Sequence, residues 1–308
     1  MGGRAMTRTT AHRLLAVAAV LMVSAAFSCK TATVTSIGSD LGVITERQKA
    51  SVDRTSEAFR KSFEDLNEEE EYRLGRAVAA DLIFRYGLRR DPGLAAYLNR
   101  VGAAVAAVSS RPEVFGGYHF AVLDSPEINA FAAPGGFVFV THGLLELVPD
   151  EEALAAVLAH EVAHVAGRHG LAAINKNRLL EAFGILGQEA GRTFDREELD
   201  TLTDLYEGAV GDIVKALVES GYSRDQEREA DRRAVEFAAA VGYGPGALVA
   251  FLDRLEKAGE SRSSGMFATH PPAADRRTAV DPVVASLQGS GTDPAPRKAR
   301  FDRAMAGL

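Results

Sequence analysis

Apolar residues recur at helical spacing through most of this chain, and the exceptions are short. Between residues 45 and 87, Phe59, Phe63, Leu66, Tyr72, Leu74, Val78, Leu82 and Ile83 fall near three-and-four spacing, which predicts amphipathic helix. The run Glu68-Glu69-Glu70-Glu71 suits a helix start, where negative charge meets the positive end of the dipole, and it reads as a solvated face. Asp91-Pro92 punctuates, and residues 94–108 predict a second helix. The period then changes. Residues 118–123 and 137–141 are aromatic and β-branched, joined through Asn129-Ala130-Phe131 and Pro134-Gly135-Gly136, and predict two or three antiparallel strands with tight turns. Asp150 is placed to cap a helix running past residue 164, with Glu151 and Glu152 in its first turn. Leu154, Val157, Leu158, Val162 and Val165 make that helix apolar on most sides, so it should be buried. Residues 178–220 predict two amphipathic helices broken near Gly191, with Leu199, Leu202, Leu205 or Tyr206, Ala209 or Val210, Ile213 and Leu217 as a stripe that reads as core, with a lid over a cleft as the second reading. Further helices are expected over 223–241 and 245–258, and the Gly/Ser/Pro-rich residues 289–308 are expected to be a loose tail.

The N-terminus reads differently. Arg4, Arg8 and Arg13 precede an uncharged apolar run, residues 14–27, too short for a comfortable membrane span and suited to an export signal. It stops at Cys29, the single cysteine of the chain, after a small residue, in a pattern that resembles a bacterial lipoprotein box. The expectation is a signal peptide over 1–28, lipidation of Cys29, a flexible tether over 29–44 and a folded domain over 45–288. Lys30 is not an aspartate, which favours sorting to the outer membrane. The chain carries a formal charge of −7, and cleavage before Cys29 would remove three arginines and no acid. So acidic a chain, with no basic run, argues against nucleic acid as a partner.

One stretch names a chemistry. In His160-Glu161-Val162-Ala163-His164 the two histidines lie one helical turn apart on one face, the spacing at which two imidazoles bind one Zn²⁺. Glu161 is then placed to take a proton from a metal-activated water. A third ligand is needed. His169 misses the extended pattern H-E-x-x-H-x-x-G-x-x-H by one residue, and one helical position turns a side chain by about 100°. It therefore reads as a helix-end histidine. The charged stretch 223–231 offers several acids: Glu227 and Asp231 share a helical face, and Glu229 points elsewhere into solvent. Spacing alone does not choose among them.

Further strings occur in a fixed order: Asn129-Ala130-Phe131-Ala132-Ala133-Pro134-Gly135-Gly136, Gly143-Leu144-Leu145, the His160–His164 motif with Arg168-His169, Glu227-Arg228-Glu229-Ala230-Asp231, and Thr269-His270-Pro271. Over residues 69–277 the chain resembles the zinc metallopeptidase family that includes HtpX, the CAAX prenyl endopeptidases, the mitochondrial Oma-type proteases and the BepA-like periplasmic proteases. The resemblance implies an α+β, predominantly helical zincin fold of gluzincin type, with a small antiparallel sheet beside the helix that carries HExxH. It implies one Zn²⁺ held by His160, His164 and Glu227, Glu161 as the catalytic base, and Asp231 as the residue orienting a ligand histidine. His270 becomes the candidate for a donor to the scissile carbonyl or for a reversible fourth ligand, with Arg276 assisting. The strand at Asn129, Ala130 and Phe131 could pair with an extended substrate. The implied function is an endopeptidase of the bacterial envelope, acting on unfolded or misassembled proteins from a periplasmic, lipid-anchored position. The alternative is a lipid-anchored, zinc-containing chaperone or assembly factor with little hydrolysis.

Overall fold

Asn67 starts the first helix through a reciprocal pair of bonds: its Oδ1 accepts from the Glu70 N–H at 3.0 Å, and the Glu70 carboxylate accepts from the Asn67 N–H at 3.0 Å. A computed structural model of the chain describes residues 66–174, 196–258, 265–287, 289 and 291–308. The expectations for the signal segment, Cys29, the tether and the Gly191 break lie outside these residues. Along the described chain run α1 (Glu68–Tyr86), α2 (Pro92–Ala106), β1 (His119–Leu123), β2 (Ala130–Ala133), β3 (Phe137–Thr141), α3 (His142–Leu147) and α4 (Glu151–Ala166). After these come α5 (Arg196–Lys215), a π-helical turn at Ala216–Ser220, α6 (Arg224–Val241), α7 (Ala247–Lys257), α8 (Met266–Thr269), α9 (Ala273–Ser286) and α10 (Ala295–Met305).

The sheet has the order β1-β3-β2. β2 and β3 are antiparallel, with Ala130 opposite Val140, as the sequence predicts. β1 and β3 are instead parallel, with His119 opposite Phe137, so the sheet is mixed rather than antiparallel throughout. The reason is topological. The chain leaves β1, passes to the far side of β3 to lay down β2, and returns through the Pro134-Gly135-Gly136 turn. That turn needs its glycines: Gly135 has φ 71°, and a Cβ there would sit 2.6 Å from the Tyr72 Cα.

Strand alternation divides the core in two. Phe120, Val122, Ala130, Ala132, Val138 and Val140 face a cluster built with α2, α4, α6, α7 and α10. Leu123, Phe131, Ala133 and Phe139 face α1 and α5 on the other side. α4 runs through the larger cluster, capped by Asp150, whose Oδ1 accepts from the Ala153 N–H at 2.9 Å. It is buried continuously over residues 153–165. The predicted stripe on α5 is buried at Leu205, Ala209 and Ile213, with Leu217 following in the π turn, while Leu199 is exposed.

Two further expectations are overturned. Glu68, Glu69 and Glu70 are exposed, but Glu71 is fully buried, bonded by Arg111 at 3.0 Å and by the Gly135 N–H at 3.2 Å and paired with Arg168 at 3.1 Å. It ties α1 to the β2–β3 turn. The tail is not loose either: α10 buries Phe301, and its Arg297 pairs with Glu152 at 2.7 Å. Its composition is polar because its partners are acids at the start of α4.

Chief among these is Glu151, buried and accepting from the hydroxyls of Tyr97 and Tyr243 at 2.9 Å each, with Arg300 of α10 paired to both its oxygens. Burial pushes its carboxyl up, but Arg300 and the two hydroxyls outweigh burial and hold it below the ordinary value. The stabilisation from a lowered carboxylate is complete above the unfolded value of about 4.3 and disappears as pH drops through the folded one. Glu151→Gln should therefore lower the unfolding free energy at pH 7 by about 1–3 kcal/mol. Urea titrations should show the gap to wild type narrowing below about pH 4; a gap that stays constant into acid would contradict this.

Candidate metal centre

α4 presents His160 and His164 on the face that meets α6, and both are almost completely buried. Their Nε2 atoms are 3.1 Å apart. Glu227, in the first turn of α6, brings Oε2 to 3.7 Å from His160 Nε2 and Oε1 to 3.5 Å from His164 Nε2. Four ligands about 2.0–2.1 Å from a tetrahedral ion stand about 3.3–3.5 Å from one another. The three separations are close to that figure. His270, just past α8, joins them: one donor atom from each of His160, His164, Glu227 and His270 lies within 4.8 Å of every other.

The donor set fits a cation chemically as well. Glu227 Oε1 and Glu161 Oε1 are buried without a hydrogen-bond partner among the described residues, an unfavourable state for carboxylate oxygens unless something positive meets them. Burial, aided by the neighbouring imidazoles, holds His164 well below its ordinary pKa, which favours the neutral ring that a metal ligand requires. Burial acts against the Glu227 carboxylate, yet His270, bonded to it at 2.8 Å, brings it below its ordinary value. Glu161 is raised, chiefly by burial, with His160 and His270 pulling the other way.

Behind the donors stands a second set of contacts. Asp231, one turn beyond Glu227, places Oδ1 2.9 Å from His160 Nδ1, and Arg276 of α9 bonds Asp231 at 2.6 to 3.2 Å. Arg276 Nη2 also approaches His160 Nδ1 at 3.3 Å. Burial opposes the charge of Asp231, but Arg276 and His160 drive its carboxyl far below the normal range. The structure thus brings His160, Glu161, His164, Glu227, Asp231, His270 and Arg276 together. Glu229 is half exposed.

Asn129, Ala130 and Phe131 are placed differently from expectation. β2 is an edge strand, but all four of its residues are buried. The Ala130 N–H donates to Asn129 Oδ1 at 2.9 Å, and Ala132 O accepts from the Tyr222 hydroxyl at 3.2 Å. The edge is closed by side chains rather than open. Tyr222 also stacks on His164, with ring centroids 4.2 Å apart and planes 20° from parallel. Sequence reasoning missed it. The one available signal, an aromatic residue directly before the Ser223 cap, is too common to single it out.

A helix bearing two histidines and a glutamate between them, with a second glutamate supplied across a helix interface, makes the donor set of a metallopeptidase. The chain belongs to peptidase family M48, whose family model matches residues 92–283. It is similar to metalloprotease LoiP of Escherichia coli (strain K12), at 31% identity over 51% of this chain and 59% of that protein. The mitochondrial metalloendopeptidase OMA1 of Schizosaccharomyces pombe is 29% identical over 71% of this chain and 62% of that protein. The β-barrel assembly-enhancing protease of Escherichia coli O157:H7 is 30% identical over 60% of this chain and 37% of that protein. The chain therefore spans less than two thirds of the length of each of these relatives. M48 metallopeptidases depend on a metal, and the buried His160, His164, Glu227 and His270 group could bind one.

Chelator competition on the purified protein should show one tightly held divalent ion. Asp231→Asn should weaken it by about 10–100-fold, and Glu227→Ala by more than that. Asp231→Ala strands Arg276 in the interior and should cost about 3–5 kcal/mol in denaturant unfolding. Unchanged affinity in Glu227→Ala would remove the centre from consideration.

Proposed function

We propose that the chain is a zinc endopeptidase that cleaves unfolded or misassembled proteins in the bacterial cell envelope, from a periplasmic position on the outer membrane held by a lipid on Cys29. The observation that carries the catalytic reading is the buried Glu161, one residue from His160, which has an oxygen without a hydrogen-bond partner and interacts electrostatically with His160, His270 and Glu227. Zinc, when bound there, polarises the scissile carbonyl and acidifies the attacking water. Glu161 takes the proton of that water and delivers it to the leaving amine; burial lifts its carboxyl towards the range such a shuttle needs. Asp231 and Arg276 fix the ring of His160 from behind. His270 serves as donor to the carbonyl oxygen or as the nitrogen that occupies the centre at rest.

An extended substrate would pair with β2, displacing the Tyr222 hydroxyl from Ala132 O. Main-chain pairing reads little sequence, which suits unfolded substrates. The name of the β-barrel assembly-enhancing protease supports a substrate among envelope proteins. The apolar run before Cys29 supports export and lipidation, and no described helix is long and apolar enough to cross a membrane.

The closed edge and the burial of Glu161 favour one rival, a zinc-containing chaperone or assembly factor that hydrolyses slowly or not at all. Casein cleavage separates the two. The wild type should cut denatured casein, and Glu161→Gln should keep its metal while losing about 10²–10⁴-fold in rate. If both proteins hold zinc and neither cuts any denatured substrate, the chaperone reading stands instead.

A further inference from the structure

His160 and His164 each have a second ring nitrogen, and the structure engages both. For His160 the partner is Asp231. For His164 it is His169, whose Nδ1 lies 2.9 Å from His164 Nδ1. His169 is not part of the converging donor group. It reaches His164 because α4 ends at Ala166 and the chain folds back: the His169 N–H donates to the His164 carbonyl at 3.1 Å.

That fold-back is held at a cost. Arg168 has φ 54°, the left-handed region that a side chain other than glycine, asparagine or aspartate rarely adopts. Its guanidinium is fastened to the Leu66 carbonyl at 2.7 Å and to the buried Glu71 at 3.1 Å. Gly167 lets the returning ring lie against the helix end, since a Cβ there would stand 2.5 Å from His169 Nε2. Glu229 Oε2 lies 3.9 Å from the same Nε2, near enough to attract a proton carried there. Local strain, a required glycine and a buried acid therefore serve one placement, and strain held by its surroundings is a pointer to function.

We propose that His169 is a positioning residue for the metal ligand His164: its Nδ1 accepts the Nδ1–H of His164, which fixes the ring and leaves His164 Nε2 as the free lone pair facing Glu227. Two Nδ1 atoms 2.9 Å apart share one proton, so the assignment determines both rings. With the proton on His164 Nδ1, His169 carries its own on Nε2, on the side of Glu229. With the proton on His169 Nδ1, the lone pair of His164 faces His169 and its Nε2 carries a proton, which bars it from a cation. This inference rests on the reading of His160, His164 and Glu227 as metal ligands.

The test has two arms. In chelator competition the wild-type chain should bind zinc, and His169→Phe, which keeps a ring and removes the acceptor, should bind it about 10–100-fold more weakly. His169→Asn, whose Oδ1 stands where Nδ1 stood, should recover most of the loss. A folded His169→Phe with wild-type circular dichroism, wild-type melting and affinity within about twofold of wild type would overturn the proposal. The second arm needs no variant. Long-range ¹⁵N–¹H spectra of the zinc-loaded, histidine-labelled chain should place the His169 proton on Nε2, with its Nδ1 accepting from His164 Nδ1–H, and a proton on His169 Nδ1 would overturn the proposal even if His169→Phe does not fold. Wild type that binds no zinc would refute the metal reading and this inference with it, whereas zinc binding with the proton on His169 Nδ1 would refute the inference alone.

Discussion

Imidazole and carboxylate groups inside an apolar core are stable only if every one of them is met, and α4 places two histidines and a glutamate on a helix that is covered on all sides. The rest of the fold is organised around meeting them. α6 brings Glu227 and Asp231 to the same face one turn apart, α9 brings Arg276 behind Asp231, and the segment after α8 brings His270 onto Glu227. Among the described residues of the site, the carboxylate oxygens left without a hydrogen bond are one on Glu161 and one on Glu227, where a cation is the natural partner; Arg276 Nη1 is the other atom there without one.

The clamps on α4 extend this logic to its ends. At its start, α10 and two tyrosines converge on Glu151, and Arg297 pairs with Glu152. At its end, the reversed chain at Arg168 is tied through Glu71 to α1 and to the β2–β3 turn. Glu71, which read as part of a solvated face, and the charged residues of the expected loose tail thus fix the position of the helix that carries the chemistry. Placement to within a fraction of an ångström is what a catalytic or metal-binding constellation demands.

Much of this was legible in the residues. Helical spacing located α1, α2, α4, α5, α6 and α7 but not the short α3, and the period change at residues 118–141 located the strands, because a buried face leaves its repeat in the sequence. Strand neighbours were not legible: Phe120 and Val138 look alike whether β1 runs with β3 or against it, and the order β1-β3-β2 follows from a crossover that no short window contains. α10 was missed because it has one buried aromatic, Phe301, among charged residues, of which Arg297 and Arg300 pair with Glu152 and Glu151, far earlier in the chain. His160, Glu161 and His164 declared themselves by spacing, whereas Glu227 needed family resemblance to be chosen among its acidic neighbours. His169 was read as a helix-end histidine outside the ligand set, and the structure agrees: α4 ends at Ala166 and the converging donors exclude His169. Its contact with His164 was not legible, because the 100° argument assumes that the helix continues, and it stops three residues before the histidine.

The account turns on a single cation joining α4 to α6. Anomalous diffraction at the zinc absorption edge, from a crystal of the zinc-loaded protein, tests this most directly. One peak should appear, about 2.0–2.2 Å from His160 Nε2, His164 Nε2 and an oxygen of Glu227. A zinc peak elsewhere in the molecule, or ordered His160, His164 and Glu227 side chains with no peak between them, would contradict it.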